Sequence, residues 1–139
     1  MRNLGMVIAL GAAVAWGYVY ATTQEVVERL PPIATLAMLY WLGAIALLPV
    51  SFWYGADIAR DVATNPASVA TTIASVIVAE FLIIWSISLL GGVEAGLVEI
   101  TYPVWTMMFL WLLKDQKPSM ETLVGALFVG AGLLIIARK

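Results

Sequence analysis

The sequence predicts an all-α membrane protein, and three observations lead to this prediction. Hydrophobic residues make up 63% of the 139 residues and charged residues 12%, whereas a soluble globular domain is about half apolar and about a quarter charged. The apolar residues form long continuous stretches, close to the ~20 residues that a membrane-spanning helix needs. They do not alternate with polar residues over segments of about ten, as the strands of a transmembrane β-barrel do.

Short polar breaks separate five apolar stretches, each of which we expect to form one transmembrane helix. The breaks are TTQEVVERLPP, GADIARDVATNP, GGVE and LKDQKPSME, and they contain the Gly, Pro and charged residues that start or stop helices. Pro31, Pro66 and Pro118 lie just before a new helix, where a missing N–H costs little. The expected helices cover residues 4–23, 33–54, 68–90, 94–113 and 121–137.

The first and last stretches each leave a question open. Arg2 before an apolar run and the tripeptide VYA fit a cleaved signal peptide, although the length of the run, Trp16 and the four later stretches favour a retained helix. The fifth stretch has 16 uncharged residues. It is therefore slightly short for a hydrocarbon core of about 30 Å, and flanking residues must complete the span.

The composition also excludes several kinds of chemistry. The chain has no Cys and no His, which rules out disulfides, thiol chemistry, histidine metal sites and Ser-His-Asp triads built from this chain alone. Seven basic and nine acidic residues give a net charge of -2, and no basic run is available to bind nucleic acid. We expect no catalytic residues, no metal site and no cofactor. The expected partners are membrane lipid, a small-molecule substrate and a second copy of the chain.

The distribution of basic residues hardly favours one orientation of the chain in the membrane over the other. With five spans, four basic residues fall on the N-terminal side of the membrane and three on the other, and short cytoplasmic loops normally carry the excess. Either the N-terminus is cytoplasmic by a narrow margin, or the chain inserts in both orientations and pairs antiparallel. The four are Arg2, Arg60, Lys114 and Lys117, and the three are Arg29, Arg138 and Lys139.

Glu80 is the ionisable residue that the sequence places deepest in the membrane. It lies near the middle of the third expected helix, between uncharged runs. A charged side chain at the bilayer centre costs about 2.5–3.5 kcal/mol on insertion scales, so such residues face protein or water or stay neutral. A carboxyl group that loses and regains a proton suits a proton-coupled carrier. The alternative is a permanently protonated Glu80 that only stabilises helix packing.

A second acid, Glu99, lies about five residues into the fourth expected helix. At 100° per residue, Tyr102 and Thr106 share its face and predict a polar stripe along a lumen. Glu94 points about 140° away and is expected to cap the helix start, where an acid favourably faces the helix dipole. Pro103 cannot donate to the carbonyl of Glu99 and is expected to act as a hinge, or else only to shape packing.

Trp16 and Tyr20 lie one turn apart in the first expected helix, above small residues. Aromatic faces attract organic cations within about 6 Å, which predicts a substrate wall. The alternative is that both rings are interfacial anchors, a common role for Trp and Tyr in membrane proteins.

Three segments resemble the EamA-type repeat of the drug/metabolite transporter superfamily: AWG, RLPPIATLAMLYWLGAIALLP and SLLGGVEAGLVEITYPVWTMMFLWLLKDQKPSMETLVGALFVGAGLLII. The resemblance covers essentially the whole chain. It implies a single five-helix transmembrane domain over residues 1–139, forming one half of an inverted-repeat transporter.

The last helix is also similar to the fourth helix of the small multidrug resistance family, in which this helix makes the dimer contact. The matching residues are Gly125, Gly130 and Gly132, and small residues allow close backbone approach in lipid. The alternative is that these glycines only pack on neighbours in their own chain. That family carries its essential glutamate in the first helix, where this sequence has no acid before Glu25, so its proton mechanism does not transfer.

These features predict a secondary transporter of a small metabolite or organic cation in the plasma membrane of a prokaryote. We expect alternating access in an antiparallel homodimer of dual topology, with Glu80 and Glu99 as proton or cation sites. The alternative is a non-transporting membrane subunit that pairs with another membrane protein.

Overall fold

In the computed structural model, the described residues 2–136 are helical throughout apart from short connections, and they contain no strand. Residues Arg138 and Lys139, which enter the orientation count, lie outside the described residues. Each of the five expected stretches corresponds to helix, and the fourth is broken into two segments. The segments are α1 Arg2–Val27, α2 Pro32–Thr64, α3 Pro66–Leu90, α4 Gly92–Glu99, α5 Tyr102–Lys114 and α6 Met120–Ile136.

Helix α2 is longer than the sequence predicts, because residues 55–64 continue the helix instead of forming a break. Gly55 and the charges after it do not stop the helix. Arg60 and Asp57 form an exposed pair at 3.8 Å on the helical surface, which contributes little by itself. The effective stop signal is Asn65, because a residue that precedes a proline is disfavoured in helical conformation. Asn65 accordingly has φ -129° and ψ 47°, and it is the single residue between α2 and α3.

The fourth expected helix is interrupted at residues 100–101, which separate α4 from α5. Pro103 has no N–H for the carbonyl of Glu99. Around the break, Thr101 N donates to Val98 O at 3.2 Å and Val104 N donates to Thr101 O at 2.9 Å. These bonds span three residues instead of four, as in a tighter 3₁₀ turn. The helix is therefore interrupted next to Pro103, and the role of Pro103 as a hinge stays a prediction.

Three helical stretches among the described residues are long and apolar enough to cross a membrane: Pro32–Thr64, Pro66–Leu90 and Gly92–Lys114. The last of these joins α4 and α5 across the break. The apolar part of α6, Met120–Gly132, is shorter, in line with the short fifth stretch in the sequence. Helix α1 has 26 residues, or about 39 Å of helix, which also exceeds the bilayer core.

Helices α1 to α4 pack together and contain the few buried hydrophobic residues of the described chain, of which Tyr20, Ile87 and Ala95 form one cluster. Helices α5 and α6 make few contacts with this body. The chain exposes 11137 Å², compared with about 7000 Å² for a compact soluble chain of 15.0 kDa. Most of the apolar surface therefore faces lipid or another chain.

Helices α1 and α4 approach most closely where α4 begins. Gly92 is buried, and a Cβ atom built on it would lie 2.9 Å from the carbonyl oxygen of Tyr20. One turn further along α4, a Cβ on Gly96 would lie 3.6 Å from the Tyr20 ring, which is ordinary van der Waals contact. The first glycine is required by backbone proximity and the second is not.

We expect Gly92→Ala to destabilise the protein by about 1–3 kcal/mol, because α1 and α4 must move apart to admit the methyl group. Gly96→Ala is the matched control. It should be neutral or slightly stabilising, since alanine favours a helix over glycine by roughly 0.5–1 kcal/mol. Unfolding in detergent, followed by tryptophan fluorescence, measures both variants. Equal stability of the two variants would contradict the close backbone contact.

Candidate functional site

A cavity with a volume of about 1050 Å³ runs along the groove between α1 and α4. We call it the α1–α4 cavity. Its α1 side consists of small residues and two aromatic side chains, and its α4 side carries one acid. The lining residues are Ala9, Ala12, Ala13, Trp16, Gly17, Tyr20, Ala21, Gln24, Glu25, Glu28, Gly92, Val93, Gly96, Leu97, Glu99, Ile100 and Tyr102.

Trp16 and Tyr20 form the aromatic wall of this cavity, as the sequence predicts. Their ring centroids are 6.4 Å apart and the rings are tilted by 59°. Trp16 is 44% exposed, so its face remains open to the cavity, whereas Tyr20 is 7% exposed and belongs to the core. The Tyr20 hydroxyl is buried and has no hydrogen-bond partner among the described residues. Packing of the ring, and not the hydroxyl, therefore keeps Tyr20 in place.

Glu99 ends α4 and lines the same cavity. It is half-buried, and it lies beside the helix break that Pro103 causes. Tyr102, the first residue of α5, lines the cavity from the far side of the break. The helix break thus places a carboxylate and a phenol next to each other at the cavity wall.

The charges around the α1–α4 cavity favour a cationic ligand. Its described lining contains three acids, Glu25, Glu28 and Glu99, and no basic residue. Arg29 pairs with Glu25 at 3.9 Å, but both side chains are about three-quarters exposed, so this pair contributes little. An organic cation would find a carboxylate and an aromatic face in one apolar space, the combination that cation–π binding uses.

Thr106, the far end of the predicted polar stripe, lines a different hollow from Glu99. Its hydroxyl donates to the carbonyl of Tyr102 at 3.0 Å. With Pro103 it lines a smaller hollow of about 410 Å³ between α5 and the segment leading to α6. The predicted stripe assumed one continuous helix, whereas the structure has a break at residues 100–101 between Glu99 and Thr106. Tyr102 lines both hollows.

Glu80 occupies a different place from Glu99. It is half-buried on α3 and is absent from the described lining of the α1–α4 cavity. It lies on α3, the helix that packs against α2. Within one chain, the two acids are therefore two separate sites.

A family comparison decides the identity. The model of the EamA-like transporter family matches residues 3–138. The chain belongs to the EamA-like transporter family. Its members are transporters and not enzymes, so this chain is an integral membrane protein of a transporter family. No curated protein and no solved structure matched the chain.

The family assignment confirms the resemblance and the all-α membrane fold class that the sequence predicts. In this EamA-like chain, the glycines of α6 face open space. No described atom outside the local helix backbone lies within 4 Å of a Cβ built on Gly125, Gly130 or Gly132. Packing against the described part of the chain therefore does not explain them, and the dimer contact stays a prediction.

Sequence reasoning missed Gln24, because the segment TTQEVV was assigned to a polar break. In the structure α1 continues to Val27, and the Gln24 side chain accepts a hydrogen bond from the backbone N–H of Gly92 at 2.7 Å. Glu94 lies in the first turn of α4 as predicted, but no side-chain capping hydrogen bond comes from the local sequence. The cap on α4 comes from α1.

We expect tetraphenylphosphonium, a bulky aromatic cation, to change the tryptophan fluorescence of the EamA-like protein by binding beside Trp16. Trp16→Phe keeps an aromatic face but removes the indole, so the response should be lost. Trp41→Phe is the matched control, because Trp41 is 74% exposed and lies outside the described cavity lining. An unchanged response in Trp16→Phe would contradict binding at this wall.

Proposed function

We propose that this EamA-like protein is a secondary transporter of small organic cations or cationic metabolites. It works by alternating access, as an antiparallel homodimer of dual topology, in the plasma membrane of a prokaryote. The observation that carries the proposal is the α1–α4 cavity, in which Glu99 and the aromatic wall share one apolar space without a basic residue in its described lining.

Glu99 is the proposed cation-binding group. A carboxylate in an apolar, partly enclosed space has few other ways to be neutralised than a proton or a bound cation. Trp16 and Tyr102 border the same space and supply aromatic surface to a ligand that carries both charge and apolar groups. A ligand and a proton therefore compete for one carboxylate, which is the basis of exchange transport.

Glu80 is the proposed second proton site. It lies on α3, at a depth where a permanent charge is costly, and α3 packs against both α1 and α4, which form the cavity walls. A change in the protonation of Glu80 can therefore alter how α2 and α3 pack and so reach the cavity through α3. In this proposal, Glu99 binds the cation and Glu80 couples transport to proton movement.

A second copy in the opposite orientation supplies the other half of the transporter. Substrate sites of many secondary transporters lie at the midplane between two inverted repeats. Three features support such a partner: the groove-like cavity lies between only two helices, α5 and α6 leave much apolar surface uncovered, and the α6 glycines face open space. The nearly even distribution of basic residues supports insertion in both orientations.

We expect Glu99→Gln to weaken tetraphenylphosphonium binding roughly tenfold or more, because a charge-assisted contact is lost. Glu80→Gln should retain binding but lose pH-dependent uptake in proteoliposomes, since the proton site is removed. Glu94→Gln is the control, because Glu94 is exposed in the first turn of α4 and outside the described cavity lining. Full, pH-dependent uptake by both Glu80→Gln and Glu99→Gln would contradict the proposed coupling of proton binding to cation transport.

Reporter fusions after residue 139 should be active on both sides of the membrane if the chain has dual topology. The control is the double variant Arg29→Gln, Arg138→Gln, which changes the basic tally from four against three to four against one and should favour a cytoplasmic N-terminus. A single location for the unmodified chain would contradict the antiparallel homodimer. It would favour pairing with another membrane protein.

A further inference from the structure

A single side-chain hydrogen bond connects distant parts of the described chain. Gln24 Oε1, on α1, accepts from Gly92 N at 2.7 Å, and the two residues are 68 positions apart. Each of the other side-chain hydrogen bonds found within residues 2–136 joins partners no more than four positions apart. Polar contact between the helices of this body is therefore concentrated at Gln24.

The bond satisfies a backbone group that the local sequence leaves unpaired. The first N–H groups of a helix have no partner within it, and in an apolar surrounding an unpaired N–H is costly. The residue before α4 is Gly91, which has φ +83° and no side chain to cap the helix. Gln24 provides the missing acceptor from the neighbouring helix.

Helix α4 has little else to fix its position along the chain. It has eight residues, and it is flanked by Gly91 on one side and by the break at residues 100–101 on the other. Its orientation is therefore set by lateral contacts with α1 and α3. The contact with α1 is closest at Gly92, beside the Gln24 bond and the carbonyl of Tyr20.

The position of α4 determines where Glu99 lies. Glu99 is about two helical turns, or roughly 10 Å, from Gly92, and over the same length α1 runs from Gln24 back towards Trp16. A shift or rotation of α4 at Gly92 therefore changes the placement of the Glu99 carboxyl group relative to the aromatic wall.

We infer that Gln24 is a positioning residue: by capping α4 at Gly92 it fixes α4 against α1 and keeps Glu99 in the α1–α4 cavity, facing the aromatic wall. The consequence for ligand binding rests on the proposed function. The placement of α4 does not, and it can be measured without any ligand.

The test compares Gln24→Met, which keeps an unbranched side chain of similar length without an oxygen acceptor, with Gln24→Glu, which keeps an acceptor. The chain has no native cysteine, so spin labels at Val19→Cys and Val98→Cys report the α1–α4 distance by dipolar electron paramagnetic resonance. Both positions are exposed and lie outside the described cavity lining. Dilution with unlabelled chain in lipid suppresses distances between copies.

Gln24→Met should broaden or shift this distance and weaken tetraphenylphosphonium binding about three- to tenfold, the effect of one lost hydrogen bond. Gln24→Glu should retain the distance, because its carboxylate still accepts from the Gly92 N–H. Since this variant also adds a negative charge to the described cavity lining, its readout is the ligand-free distance and not the affinity for the cation. Gln24→Asn is a second variant for the case in which Gln24→Met does not fold. It is one methylene shorter, so it should behave as an acceptor that no longer reaches Gly92.

An unchanged distance in Gln24→Met would overturn the inference, as would equal broadening in Gln24→Met and Gln24→Glu. If the unmodified chain does not bind the probe but Gln24→Met alone alters the distance, the cation function fails and the positioning role of Gln24 is supported. The ligand-free distance thus separates failure of the inference from failure of the proposed function.

Discussion

The whole arrangement depends on one requirement of the bilayer, that a backbone N–H or C=O group released from a helix must find a partner within the protein. The chain leaves helical geometry between α3 and α4, at Gly91, and this is where α1 supplies both an acceptor and a close backbone contact. The turn at Gly91 therefore depends on its contacts with α1. Because α4 starts directly after this turn, the turn determines the position of the cavity wall that carries Glu99.

The second departure from helical geometry, at residues 100–101, differs from the first because its hydrogen bonds come from the local backbone and not from another helix. Here Pro103 removes a donor, and the local backbone compensates with bonds over three residues. No other helix is needed to complete the turn. One end of α4 is therefore held by another helix, and the other end is completed by bonds within the neighbouring backbone.

Much of this fold could be predicted from local sequence, because glycine, proline and long apolar runs act over a few residues. The Gly91 corner, the break before Pro103 and the place of Glu94 in the first turn of α4 are examples. The structure differs from the prediction where the position of a side chain depends on a contact between distant residues or on a helix being uninterrupted. Gln24 contacts a partner 68 positions away. Thr106 lines a different hollow from Glu99, and a helical projection applies only within one continuous helix. The α2 boundary was wrong because Asn65–Pro66, and not Gly55, stops the helix.

The extension of α2 also has a mechanical consequence. With 33 residues, α2 is about 50 Å long, well beyond a hydrocarbon core of about 30 Å, so it must tilt or protrude. A one-residue link returns the chain into α3, which makes the protruding part a stiff helical hairpin and not a slack loop. In an antiparallel pair, each face of the membrane would carry one copy of this helical hairpin, so both compartments would meet the same surface of the protein.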